Sequence, residues 1–181
     1  MANKFILDAC CGCKFMWFDK ENPNVIFNDI RKEEKGFIER RKNLEVNPNT
    51  QYDFRNLPFK DKQFKLITFD PPHLKGKMDK STLKGCYGVI EGDFESYLGL
   101  GFRELWRCLD DYGVLFCKFN DVHISFKDIE LLFPTKPLFQ TSTNRSKNCI
   151  TRWFCFMKNP NDVNATDTDS TKGETEVNKN G

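Results

Sequence analysis

The stretch from Phe64 to Leu74, FKLITFDPPHL, limits this chain more than any other. Its apolar residues Leu66, Ile67 and Phe69 are nearly continuous, as in a strand of a parallel sheet covered by helices on both faces. The run ends at an acid and two prolines. Pro71 and Pro72 cannot donate to a sheet ladder, and each disfavours the helical region for the residue before it, so the backbone must leave the sheet extended. Asp70 is therefore expected at the carboxyl edge of a buried strand, where open α/β sheets place their ligands. His73 follows, a flat ring that can also carry a proton near neutral pH.

One domain is what 181 residues allow: a single sheet with flanking helices, and little room for a separate recognition domain. The 18 phenylalanines supply a core despite the 30 % of charged residues, which excludes a wholly disordered chain. The net charge of +2 is unevenly spread. From Asn159 to Gly181, Asp162, Asp167, Asp169, Glu174 and Glu176 outweigh Lys172 and Lys179, giving −3 and leaving +5 on residues 1–158. That mildly basic body is compatible with nucleic acid without requiring it. Residues 1–158 read as the folded domain, and 159–181, without apolar anchors, as a disordered polar and acidic tail.

The 8 cysteines fit neither a disulfide framework nor a zinc site. Cys10, Cys11 and Cys13 lack the paired spacing of a structural zinc ligand set, the other five stand singly, and no signal peptide precedes Phe5. The expectation is a cytoplasmic protein with reduced thiols, no metal and no membrane span. No motif here sets an oligomeric state.

Along the chain, Phe5 to Ala9 reads as a strand, and Gly12 permits a tight turn into a short helical segment. Such a turn leaves backbone N–H groups free to receive an anion. Val25 to Phe27 is the next strand; Asp29 just beyond it can accept both hydrogen bonds of a ribose diol. Residues 31–42 are charge-rich, a surface excursion as helix or hairpin. Gln51 to Phe54 restarts the sheet after the Asn47-Pro48-Asn49 turn. Lys75 to Gly92 reads as a long loop over the site, either a lid or a target-contacting loop, with Lys75 on its positive face and Tyr87 as a stacking ring. Phe94 to Leu109 has helical spacing, with Tyr97 in the core. Val114 to Phe119 is a buried strand in which Lys118 either reaches a pocket or snorkels to water. Phe126 to Phe133 is a helix, and Leu138-Phe139 with Thr151 to Met157 form a final hairpin.

Three pieces, in order, carry a resemblance. Asp70-Pro71-Pro72-His73 resembles the (D/N/S)-P-P-(Y/F/W) signature of class I S-adenosylmethionine (SAM) dependent methyltransferases that act on exocyclic amines. Asp53 to Phe59 resembles the segment before that signature, and Ile6 to Gly12 resembles motif I. With MWFD, FNDIR, GVLFCKF, RSK and WFCFMK, the chain from about Phe5 to Lys158 is similar to small phage or prophage methyltransferases. The resemblance implies a Rossmann-like sheet, mostly parallel with an antiparallel last strand. SAM is the implied cofactor, its amino-acid end held around Asp8, Ala9, Cys10 and Gly12 and its adenine by Asp53 and Phe54. Where many relatives have a second glycine this chain has Lys14, either a charge for the SAM carboxylate or a solvated side chain. Arg145 and Lys147 fall on a loop that lies near the catalytic edge in the family, which suggests phosphate contact.

The implied chemistry accounts for the residue types. An exocyclic amine on adenine (N6) or cytosine (N4) is a poor nucleophile because its lone pair is delocalised into the ring. Asp70 and the Pro71 carbonyl, fixed by the rigid Pro71-Pro72 turn, can accept both N–H bonds and localise that pair. His73 would stack on the target ring. The reading is a methyltransferase acting on a nucleobase in DNA or RNA. The alternatives are an enzyme acting on a small molecule, nucleotide or protein, and a non-catalytic regulator that binds SAM or nucleic acid.

Overall fold

Short apolar runs cut off by polar turns build the sheet. The computed structural model describes residues 4–78, 82–146 and 149–161. Its strands and helices are β1 (Ile6–Asp8), β2 (Val25–Phe27), β3 (Phe64–Phe69), α1 (Thr82–Tyr87), α2 (Phe94–Cys108), β4 (Leu109–Asn120), α3 (Phe126–Glu130), β5 (Phe139–Ser146) and β6 (Cys149–Met157). The six strands lie in the order β2-β1-β3-β4-β6-β5. Neighbours from β2 through β4 run parallel, and β6 pairs antiparallel with both β4 and β5, so one strand is reversed against the rest.

Gln51 to Phe54 does not rejoin the sheet. A single bridge between Asn28 and Thr50 stands where a further strand was expected. The Asn28 side chain takes over the ladder's bonds: its amide donates to the carbonyls of Ala9 and Tyr52, and its oxygen accepts from Thr50 Oγ1 and Tyr52 N. Asp53 turns the chain at once, accepting from Arg55 N through Oδ1.

Asp93 caps α2 by accepting from Glu95 N and Ser96 N, both at 3.1 Å, which satisfies donors the first turn would otherwise leave open. The helix buries Leu98, Phe102 and Leu105 and stops at Cys108, where β4 begins without a loop. Phe102 meets Phe69 of β3 and Phe133 edge-on at 5.3 Å each, and Phe133 in turn meets Phe154 and Phe156 of β6 at 4.9 Å. Thus α2 and the α3 region cover the same face of the sheet. Helices on both faces were expected, but among the described residues none covers the opposite one. Residues 10–24 lie there as turns, with Trp17 edge-on to Phe27 at 5.3 Å. That segment is bent out of helical geometry by positive φ at Gly12 and Lys14.

The excursion 31–42 is hairpin-like, with Glu33 bridged to Val46 and Ile38 buried in a small cluster with Val46, Cys13 and Cys86. The expected long loop 75–92 folds back on itself. Ile90 N donates to Leu74 O, Gly76 N donates to Ile90 O, and α1 sits in between.

Candidate functional site

Three acids end three adjacent parallel strands: Asp8 closes β1, Asp29 follows β2 and Asp70 follows β3. All three line one cavity of about 100 Å³ at the carboxyl edge. A second cavity, of about 260 Å³, opens between β3, β4 and the β5–β6 hairpin. Asp70 and Tyr87 line both, so the two spaces meet at that carboxylate.

In the first cavity Gly12 turns at φ +48°, and a Cβ there would stand 3.1 Å from the Cys86 carbonyl, so the backbone of α1 can approach only a glycine. Cys10 and Pro72 also line this space. Asp29 is spent internally: Oδ2 accepts from Gly12 N (2.9 Å), and Oδ1 from Arg31 N (2.9 Å) and Nε (3.2 Å). Gly12's N–H, expected to be open for an anion, is thereby occupied. Arg31 continues to α1, donating to the carbonyls of Gly85 (2.8 Å) and Cys86 (3.4 Å). It ties the end of β2 to the segment that roofs the cavity.

Asp8 is buried and accepts from Trp17 Nε1 at 2.7 Å. Burial pushes its carboxyl up to about 7; the Trp17 bond pulls it down, and the charges of Asp70 and Asp29 push it further up. The apolar wall is Phe54 and Tyr97, whose rings meet edge-on at 5.2 Å. Tyr97, expected in the core, does pack against it, and from the first turn of α2 it also lines this cavity at the carboxyl edge. Its place one turn into a helix that follows the roof segment was the available signal.

Several expected ligands are elsewhere. Ala9 is fully buried inside the sheet, donating to Thr68 O. Lys14 takes φ +54°, the conformation a second glycine would have, but that backbone aims its side chain away from the cavity. Its ammonium lies 4.3 Å from the Phe27 ring centroid and donates to Lys20 O at 3.0 Å. Asp53 lines neither cavity, because Arg55 Nε holds both its oxygens (2.9 and 3.0 Å) and keeps the carboxyl below the usual range. Lys75 is exposed, its ammonium 4.1 Å from the Phe94 ring centroid, and it touches neither cavity. Arg145 lies in β5 with its side chain outside the described residues, as is all of Lys147.

The second cavity gathers His73, Lys118, Tyr87 and Trp153 around Asp70. Asp70 Oδ2 accepts from Lys118 Nζ at 2.5 Å, whereas Oδ1 is buried with no hydrogen-bond partner among the described residues. The Lys118 ammonium lies 5.0 Å from the Tyr87 ring centroid and 5.6 Å from that of Trp153. Trp153 was expected only as part of the final hairpin; its position directly across from Lys118 in the β4–β6 register brings it to the site. His73 is buried, and burial lowers its pKa although the Asp70 charge opposes this, so the ring is neutral at pH 7. Its Nδ1 donates to the Pro71 carbonyl over a long 3.4 Å, and its ring leans on Tyr87 at 5.1 Å. Pro71 is buried beneath it.

Among the described residues no group of three or more His, Cys, Asp or Glu is placed to hold a metal ion, and no helix is long and apolar enough to cross a membrane. No protein-family model matches the chain, and no curated protein matches its sequence. Solved structures do match. The PH0226 protein of Pyrococcus horikoshii superposes with a TM-score of 0.56 at 16 % identity, over 84 % of this chain and 81 % of that one. A SAM-dependent methyltransferase of Methanosarcina mazei superposes with a TM-score of 0.52 at 12 % identity, over 85 % of this chain and 92 % of that one. The chain is built on the fold that this methyltransferase also uses.

Proposed function

We propose that the protein is a SAM-dependent methyltransferase acting on an exocyclic amino group of a nucleobase, adenine N6 or cytosine N4, in DNA or RNA. The observation that carries this reading is Asp70, the shared wall of two cavities, with one carboxylate oxygen buried and unpartnered. An orphaned buried acceptor costs about 1–3 kcal/mol, which an incoming N–H donor would recover.

The residues of the first cavity fit SAM in kind. Phe54 and Tyr97 offer an apolar wall to a purine, and the acids Asp8, Asp29 and Asp70 favour a cationic ligand over a neutral one. In volume it is well below the roughly 300–1,000 Å³ usual for ligand sites, so the α1 roof must shift to admit the molecule. When bound, SAM would supply an activated methyl carbon, to which the amine nitrogen's lone pair bonds as the carbon–sulfur pair returns to sulfur.

The chain's own work is positional. Asp70 Oδ1 accepts one amine N–H, drawing the nitrogen toward a tetrahedral shape as the lone pair is committed. The Pro71-Pro72 turn holds that carboxylate against rotation out of the shared wall. His73 and Tyr87 exclude water from the junction. Buried His73 shapes the wall, and the departing amine proton passes to Asp70, to the His73 imidazole or to solvent.

The test is transfer of labelled methyl from SAM to genomic DNA, bulk RNA and nucleotide pools, followed by nucleoside mass spectrometry. Asp70→Ala should lose transfer by at least about 100-fold, the scale of removing one transition-state partner, while SAM binding persists. SAM binding by wild type with no transfer to any pool would instead make the chain a regulator.

A further inference from the structure

The second cavity presents two polar groups side by side, and they differ in sense. Among the described residues Asp70 Oδ1 is an acceptor without a donor. Lys118 Nζ, 2.5 Å from the other oxygen of the same carboxylate, is a donor with further protons to give. Both are largely buried, with side-chain exposures of 12 % and 15 %, so neither is well satisfied by water. An acceptor beside a donor is complementary to a ligand edge bearing a donor beside an acceptor.

We propose that Lys118 is a specificity-determining residue: it donates to the unprotonated ring nitrogen next to the amine while Asp70 accepts from the amine itself. The acceptor substrate is then an amidine-type edge, N–H beside a ring nitrogen lone pair, as adenine offers at N6 and N1 and cytosine at N4 and N3. This rests on the methyltransferase reading above and narrows it. Guanine's Watson–Crick edge presents N1–H beside its amine and would set donor against donor; its N2 and N3 offer the matching pair only on the sugar edge. An aliphatic or protein amine has no adjacent acceptor and would leave Lys118 unanswered.

The surroundings agree with a planar ligand. The Tyr87 and Trp153 rings flank the ammonium, giving aromatic surface beside the polar pair, and base–aromatic stacking tolerates either base. The edge being read is the Watson–Crick edge, which in a duplex is already paired. The substrate must therefore be single-stranded, flipped out of its helix, or a free nucleoside. Lys118 comes from β4, bound on both sides in the sheet, so the donor is held on a rigid element.

The experiment compares each parent base with its deaza analogue, which keeps the amine and loses the ring nitrogen. Adenine against 1-deazaadenine, and cytosine against 3-deazacytosine, are offered as nucleosides and in short single strands. Methyl transfer and, separately, binding to the protein without SAM are measured. Wild type should prefer the parent about 10- to 100-fold, the weight of one hydrogen bond to a charged group. In Lys118→Met the preference should fall below about 3-fold, and Lys118→Arg, which keeps a charged donor, should retain it. Each ratio is internal to one protein, so a general loss of activity cancels. A wild-type ratio near one overturns the proposal even if Lys118→Met fails to fold, and so does a preference that survives in a folded Lys118→Met, while the methyltransferase reading stands. Transfer by wild type to neither parent base, with SAM bound, overturns both.

Discussion

Asp8→Asn should stabilise the protein, and only above acid pH. Asp8 sits buried beneath the first cavity with its carboxyl pushed from 3.8 up to about 7, chiefly by burial. A raised native pKa means the folded chain holds a proton that the unfolded chain has released between those two values. Stability therefore falls as pH rises through that window, is unpenalised below about 4 and carries the full cost above about 7. A displacement of about 3 pH units corresponds to about 4 kcal/mol at pH 8. Asparagine is neutral throughout, and its side-chain oxygen can still accept from Trp17 Nε1, the bond Asp8 makes at 2.7 Å. Its amide needs a partner of its own, which reduces the gain to about 2–4 kcal/mol, or about 5–15 °C in Tm for a domain of this size. Urea unfolding of both proteins from pH 4.5 to 8 reads the difference directly, since every other titration is shared. Curves that meet near pH 4.5 and part toward pH 8 bear the argument out. A variant equal to or weaker than wild type at pH 8 refutes it.

The same titration reaches ligand binding. A cationic ligand in the first cavity favours ionised Asp8, so SAM affinity by calorimetry should rise with pH up to about 7 and flatten above it, more than for the uncharged thioether product. Gly101→Ala should place a Cβ 2.5 Å from the Phe54 ring, destabilising by about 1–3 kcal/mol and weakening SAM binding because Phe54 lines the cavity. Lys14→Gly should be about 1 kcal/mol more stable in urea than Lys14→Ala, since both lose the ammonium but only alanine keeps a Cβ at φ +54°. Arg31→Met removes the bonds to Gly85 and Cys86; amides of α1 should exchange faster while those of β3 stay protected.

What the sequence disclosed was set by local chemistry. Asp70 at the end of β3 follows from two prolines that no strand can continue through, and the turn after β1 follows from a glycine that must take positive φ. The final hairpin is likewise written in a few neighbouring residues, while the reversal of β6 was implied by the family resemblance. What escaped depended on partners distant in the chain. Asp53 looked open to a ligand until Arg55 was seen to close on both its oxygens. The strand expected at Gln51 to Phe54 lost its ladder to one side chain, Asn28, donated from β2's end. Lys14 and Lys75 turn away because their own backbone conformation and the return of the chain at Ile90 aim them so. Tyr97 and Trp153 could not be told from core by spacing, since a position on the last exposed rung of a helix or strand differs from a core position only in register.

The charges at the strand ends divide the labour between the two cavities. Asp8, Asp29 and Asp70 converge on the first, and Arg31 answers Asp29 while Lys118 answers Asp70 from the far side. Asp8 alone has no cation among the described residues, so nothing of opposite charge offsets the burial that raises its carboxyl. The first cavity thus has an unmet demand for positive charge, whereas the second already contains its cation in Lys118. A cationic methyl donor and a neutral amine acceptor are the pairing that this distribution favours; the reverse would bring a second cation against Lys118 and leave Asp8 uncompensated. Under the proposed function, that asymmetry lets a single carboxylate, Asp70, both separate the donor from the acceptor and order them.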